Sequence, residues 1–307
     1  MKRALVLGCG GVAGAAWEIA TLEALEKELG WDVRDADVLI GTSAGAVLAA
    51  LLGAGVSVAR LAACQRGEVD EHCVWNHDTD TGGAYPPLPK LGFTGARLLW
   101  KGLKGEVSSL SALCGVLPKG GFDMTPFRNL IDSAVPVGEW APHPATWIVA
   151  VDVESGKRVA FGGSDAPAVA LSDAVCASYG VPGWCPPVHL NGRQYIDGGV
   201  ASPVSADLLV DTDIEEVIIL APMASSRPDS PSSAMEKIER RVRRYMTRIV
   251  DREVALLKSY GKRVIRLEPG PADLQAFGSN MMDPRRRRQV FDTAMDTAPG
   301  LLRDALA

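Results

Sequence analysis

Ser43 stands between two glycines in Gly41-Thr42-Ser43-Ala44-Gly45, and its flanks give it a place to react. The mostly apolar run 36–40 leads in and the small apolar run 46–53 follows, so the pattern reads as strand, sharp turn and helix. A side chain in place of either Gly41 or Gly45 would meet the neighbouring strand or helix, and glycine accepts the dihedrals such a turn demands. The turn would expose the Ser43 hydroxyl at the carboxyl edge of the sheet. There it lies beside the positive end of the next helix, where negative charge is stabilised. Two roles suit that position, a nucleophile of the G-x-S-x-G kind or a simple helix cap.

A second glycine cluster, Gly8-Cys9-Gly10-Gly11-Val12-Ala13-Gly14, follows the apolar run 4–7. A dinucleotide site needs G-x-G-x-x-G here and an acid closing the next strand. The spacing is instead Gly8-x-Gly10-x-x-x-Gly14, and the next strand closes on Ile40-Gly41-Thr42 without an acid. The other reading is a set of bare backbone N–H groups facing a cleft, which an acyl-transfer oxyanion requires. Both glycine clusters follow strands of one βαβ unit, whose crossover is right-handed, and so share one edge of the sheet.

A serine hydroxyl is a poor nucleophile until a base takes its proton. The histidines give little help, since His143 has Pro on both sides and no obvious acid placed before it, and His189 sits just before a strand in an apolar context. No histidine follows them in the order Ser, Asp, His that a hydrolase sheet uses. Asp197, ending a short strand before Gly198 and Gly199, is the better candidate: a carboxylate within hydrogen-bond reach can act as base directly. The alternative for Asp197 is a plain Asp-Gly turn.

The elements around these residues read in order. Strands are expected at 4–7, 38–40, 147–153, 158–161, 193–196, 215–220 and 263–267, and the runs 147–153 and 158–161 as a hairpin. Helices are expected at about 15–29, ended by Gly30, at 165–178 with Asp165 as cap, and at 232–260. The last carries Met235, Ile238, Val242, Met246, Ile249, Leu256 and Tyr260 on one stripe. From Cys64 to Phe127 turn material mixes with Trp75, Tyr85, Leu91, Phe93, Leu98, Leu99, Trp100, Leu103, Leu110 and Leu113, interleaved with Lys90, Arg97, Lys101 and Lys104. This insertion reads either as helices packed on the core or as a lid and apolar channel able to rest on lipid. The runs 240–244 and 285–288 are arginine-rich and invite an anionic surface, though such runs are often solvated faces.

Composition narrows the class. With 47% hydrophobic and 22% charged residues over 307 positions, the chain can bury a sizeable core. Its net charge of −5 argues against a general nucleic-acid binder. Six cysteines without C-x-x-C pairs read as free thiols of a reducing compartment, and four histidines lack metal spacing, so no metal or cofactor is expected. Met1-Lys2-Arg3 and the following apolar residues imitate a secretory leader, but the run before Cys9 is shorter than the roughly 7–15 residues needed. A cytoplasmic protein, with peripheral contact to a membrane surface, is expected.

Taken jointly, the glycine loop, the Gly41–Gly45 turn and Asp197-Gly198-Gly199 resemble the patatin-like phospholipases, in the order that family shows. The stretch Ala177-Ser178 through Pro182-Gly183 to Pro186-Pro187-Val188 is similar too, and the likeness spans about Ala4 to Pro203. The resemblance implies a three-layer α/β/α fold with a mainly parallel central sheet: one domain with a core at about 4–210, an insertion at about 64–130, and C-terminal helices and strands at 211–307. It implies Ser43 as nucleophile, Asp197 as base, an oxyanion hole from the amides of Gly10, Gly11 and Val12, and supporting roles for Gly8, Gly14, Gly41, Gly45, Gly198 and Gly199. The substrates implied are phospholipid, lysophospholipid or neutral lipid esters. Acyl transfer or thioester cleavage on the same pair, or a non-catalytic lipid-binding relative, are the alternatives. Cys9 stands where the family loop carries its first glycine, and Ala13 where it carries Arg or Lys. Backbone donors survive both changes, but a lost cation weakens the case for phosphate recognition and favours substrates without a charged headgroup.

Overall fold

The structure is a computed structural model, and it describes residues 1–68, 80–81, 83–85, 87, 90–93, 96–104, 107, 109–115, 117–227 and 229–307. Along the first half run β1 (Arg3–Leu7), α1 (Gly11–Leu29), β2 (Val38–Thr42), α2 (Ala44–Gly53), α3 (Val58–Arg66), β3 (Lys90–Phe93), α4 (Ala96–Leu103), α5 (Ser109–Cys114), β4 (Pro118–Lys119) and α6 (Thr125–Ala134). The second half adds β5 (Thr146–Asp152), β6 (Arg158–Phe161), α7 (Leu171–Ser178), β7 (Val188–Leu190), β8 (Arg193–Asp197), β9 (Glu216–Leu220), α8 (Ala234–Ser259), β10 (Arg263–Leu267), α9 (Pro271–Phe277) and α10 (Arg287–Leu306).

The main sheet runs β10-β9-β1-β2-β5-β8-β7, with β6 also on β5. Its first five strands are parallel, and the covered inner ones, β9, β1, β2 and β5, are mostly apolar runs, whereas the edge strand β10 carries Arg263 and Arg266. Alternate residues divide the core. Leu5, Leu7, Leu39, Ile218 and Leu220 face the layer with α1, α2 and α10. Ala4, Val6, Ile40, Val217 and Ile219 face the layer built mainly from α8 and residues 206–209. The fold is therefore the expected sheet between two helical layers.

Register on β5 decides what meets at the site. β6 lies along Ile148–Val151, occupying one edge of β5. β2 pairs in parallel through Val149 and β8 pairs antiparallel from Ala150 onward, so both must share the other edge. The carboxyl ends of β2 and β8 thus point at each other, carrying Ser43 just past Thr42 and Asp197 opposite Ala150.

Three expectations need correction. α1 begins at Gly11, not near residue 15, because Gly10 is its cap and the supposed loop glycines form its first turn. α7 begins at Leu171, since Asp165–Ala170 runs outside the helix and the Leu171 amide is tied to the Glu139 carbonyl. The apolar stripe expected on α8 is mostly outward: Met235, Ile238, Val242, Leu256 and Tyr260 are exposed. Its inner face instead holds Glu239, Arg243, Met246, Thr247, Val250, Glu253 and Leu257, and the charges among them are paired. His72, Cys73, Trp75 and His77 lie outside the described residues, as do the side chains of Leu91, Phe93, Leu103 and Leu110. Among the described residues, no helix is long and apolar enough to cross a membrane.

Candidate active site

Ser43 caps α2 only through its backbone. Its side chain makes no capping bond. The Asp197 carboxyl lies near enough for Ser43 to pull its pKa down. The residue takes φ 58° and ψ −117°, a strained conformation for a side-chain-bearing residue, and this aims the hydroxyl away from the helix. The strain is held from several sides. The Ser43 amide donates to Ser178 Oγ at 2.8 Å, and that hydroxyl donates to the Val149 carbonyl at 2.6 Å. A Cβ on Gly41 would come within 2.4 Å of the Gly45 carbonyl oxygen, and one on Gly45 within 2.2 Å of the Leu7 carbonyl oxygen. Neither position tolerates a larger residue, so the turn is as tight as its sequence suggested.

Asp197 is buried, and its carboxylate accepts from the Gly199 amide at 2.7 Å. Burial pushes its pKa up from the ordinary 3.8 to about 6, against the opposing pull of Ser43 and of the Gly199 amide. Gly198 lets this segment lie against β5, for a Cβ there would stand 2.5 Å from the Val149 carbonyl oxygen. The Asx turn and the contact with Ser43 therefore coexist at one residue.

The glycine loop sorts its amides by use. Gly8 donates to the Leu220 carbonyl at 3.0 Å and to Glu18 Oε1 at 2.8 Å, and Cys9 donates to the Pro203 carbonyl at 2.8 Å. Ala13 donates to the Met281 carbonyl and Gly14 to that of Gly10. The amides of Gly10, Gly11 and Val12 keep no acceptor among the described residues. They sit at the start of α1, where the helix dipole adds to their pull on an anion. The Gly45 amide donates to the Gly8 carbonyl at 3.1 Å, which locks the Ser43 turn to this loop.

A cavity of about 370 Å³ opens beside these groups, bordered at one end by Gly11, Val12 and Ala44. From there it follows Ala15 and Ile19 of α1 and Val47 and Leu51 of α2 toward α3 and α6, with mostly apolar walls. Among the described residues of the insertion, Cys64, Gln65, Thr81, Phe127 and Leu130 line this space. Leu98 of α4 and Cys114 of α5 bury against Val151, Ile196 and Val200 next to Asp197, while Leu99, Trp100 and Leu113 face outward.

Several supports left no local signal. Glu18 is fully buried, burial pushes its carboxyl well above the ordinary range, and it accepts from the Gly8 amide. Pro222, Met281 and Met282 pack against the glycines of the loop. Behind them lies Arg243 of α8, buried, bound to Glu239 and to the Pro222 carbonyl. A guanidinium therefore backs the loop even though Ala13 carries no charge. Polar contacts of Ser178 and Arg243 span 135 and 21 positions, distances that no motif records.

The histidines are held elsewhere. His143 Nε2 bonds the Ala36 carbonyl at 2.7 Å, and His189 meets Gln194. The run at 285–288 is also committed: Arg285 pairs with Asp283, Arg286 reaches the last carbonyls of α9, and Arg287 and Arg288 reach those ending α3. Among the described residues, no group of three or more metal-binding side chains is gathered.

A sequence model of the family described as "Patatin-like phospholipase" matches residues 5–210. Among solved structures, the chain is similar to VipD from Legionella pneumophila at 12% identity and a TM-score of 0.45, over 99% of this chain and 67% of that one. It is also similar to the type III effector protein ExoU at 14% identity and a TM-score of 0.38, over 99% of this chain and 53% of ExoU, so it spans about half the length of that protein.

Proposed function

Since the chain belongs to the patatin-like phospholipases, we propose that it is a lipid acyl hydrolase working through a Ser43–Asp197 dyad and an acyl-enzyme. One observation carries this reading: Ser43, held in a strained turn without a side-chain cap, influences the buried Asp197 carboxyl and stands next to Ala44, on the wall of a mostly apolar cavity. Asp197 takes the hydroxyl proton as Ser43 Oγ attacks the ester carbonyl. The amides of Gly10, Gly11 and Val12 hold the oxyanion. Asp197 then returns the proton to the leaving alcohol. A water, deprotonated by Asp197 in turn, attacks the acyl-enzyme, releases the fatty acid and regenerates Ser43. The cavity holds the acyl chain, and a lipid surface delivers the substrate.

The test is covalent and kinetic. A fluorophosphonate should label Ser43 in the native protein, fail on Ser43→Ala, and react slowly with Asp197→Asn. Hydrolysis of p-nitrophenyl esters and of lysophospholipids should vanish in Ser43→Ala. Equal ester release from native and Ser43→Ala proteins would remove the proposal, and label on another residue would move the site. Added alcohols that divert product to new esters would show transfer rather than hydrolysis.

A further inference from the structure

The outer side of α8 presents two rows that find no partner among the described residues. Arg241, Arg244, Arg248 and Arg252, spaced by three and four residues, form one row along the helix. None makes an ion pair or hydrogen bond among the described residues, although most arginines of the chain do, including Arg240 and Arg243 on the same helix. Met235, Ile238, Val242, Leu256 and Tyr260 form the adjoining row at helical spacing, and Met235, Ile238 and Tyr260 are 62%, 52% and 58% exposed. The inner side of α8 is already satisfied by the sheet and by residues 206–209. A sequence would not keep apolar residues in register on a solvated face to pack its own core.

We infer that this face of α8 is a docking surface for an anionic phospholipid bilayer, with the arginine row at the headgroups and the apolar row entering the acyl boundary. Charge selects the occupant. A second copy of the chain would bring four further arginines against the first four, while Asp251, the acid nearest them, is already paired with Arg266. A bilayer carries negative charge and accepts apolar side chains together. The inference rests on the lipid-substrate reading only for preferring a bilayer to an acidic protein.

Vesicle sedimentation of the full chain carrying Ser43→Ala separates docking from turnover. Vesicles of phosphatidylcholine with about a third phosphatidylglycerol should bind it, pure phosphatidylcholine should bind it far more weakly, and salt should release it. Changing Arg241, Arg244, Arg248 and Arg252 together to Gln should weaken binding by about fivefold per arginine, several hundredfold in all. In a protein with Ser43 intact, the same changes should leave hydrolysis of a water-soluble p-nitrophenyl ester within about twofold. Should the quadruple variant fail to fold, the single reversal Arg244→Glu at an exposed position gives the same readout. Ile238→Ser should weaken binding without changing its salt dependence. Binding that ignores the arginines, equal binding to both vesicles, or no binding at all would overturn the inference. Vesicle binding that persists in a protein inert toward every ester would instead overturn the catalytic reading alone.

Discussion

A carboxyl group that must take a proton from an alcohol needs more basicity than a free aspartate has, and burial supplies it at Asp197. With its pKa at about 6, the group is charged at neutral pH yet a stronger base than usual. On the dyad proposal, kcat/KM for a soluble ester should rise tenfold per pH unit below about pH 6 and level off above it. Asp197→Asn should lose roughly 10²–10⁴-fold and the acid limb with it. The same burial carries a stability signature. The folded pKa lies above the ordinary 3.8, so the folded state binds the proton more tightly and its advantage is full below about pH 4 and lost as pH passes about 6. At pH 8 the charged carboxyl costs about 3 kcal/mol, from 1.36 kcal/mol per unit. Asp197→Asn should therefore melt higher than the native protein at pH 8 and show little gain at pH 4. An unchanged difference between those pH values would place the titration elsewhere.

At the scale of elements, what the sequence made legible was local. Four strands of the sheet announced themselves as apolar runs, and the Ser43 and Asp197 turns as short glycine motifs whose clashes are now explicit. The first turn of α1 was hidden because four residues rich in glycine read as loop. The faces of α8 were exchanged because periodicity weighs hydrophobicity, whereas the buried face is stabilised by paired charge. Arg243 belongs to that hidden class. Held by Glu239, over the ring of Phe277, and bonded to the Pro222 carbonyl, it presses the 221–224 segment against Gly8, Gly10 and Gly14. We expect Arg243 to be a positioning residue for the three free amides. Arg243→Met leaves Glu239 with only Arg240 and should destabilise by roughly 3–5 kcal/mol, so the second change Glu239→Gln is added to relieve the buried acid. If the arginine only stabilises, the double variant should recover kcat along with its melting temperature. If it positions the loop, stability should return while kcat stays about tenfold or more below native, with KM little changed.

For the whole molecule, on the hydrolase proposal, the length of acyl chain accommodated follows from how far the cavity reaches along α1 and α2. The cavity wall on α1 runs from Gly11 to Ile19, eight residues and so about 12 Å, and that on α2 from Ala44 to Leu51, about 10 Å. A space of about 370 Å³ holds on the order of a dozen methylene-sized groups at ~30 Å³ each, the share of a water molecule in the liquid. Each methylene buried along it is worth about 0.8 kcal/mol, near fourfold in kcat/KM. Across p-nitrophenyl esters of increasing length, kcat/KM should climb until about twelve carbons and then flatten. Leu51 lies on the cavity wall at the far turn of α2, so Leu51→Trp should fill that end and bring the break forward to about eight carbons. Acetate and butyrate esters, which never reach it, should turn over within about twofold of native. A break that stays at the same length in both proteins would mean the chain takes another route, over the outward faces of α4 and α5, where Leu99, Trp100 and Leu113 are exposed beside the Asp197 segment. Trp100→Ala would then shift the profile in place of Leu51→Trp, because only the wall that the chain touches can set its length.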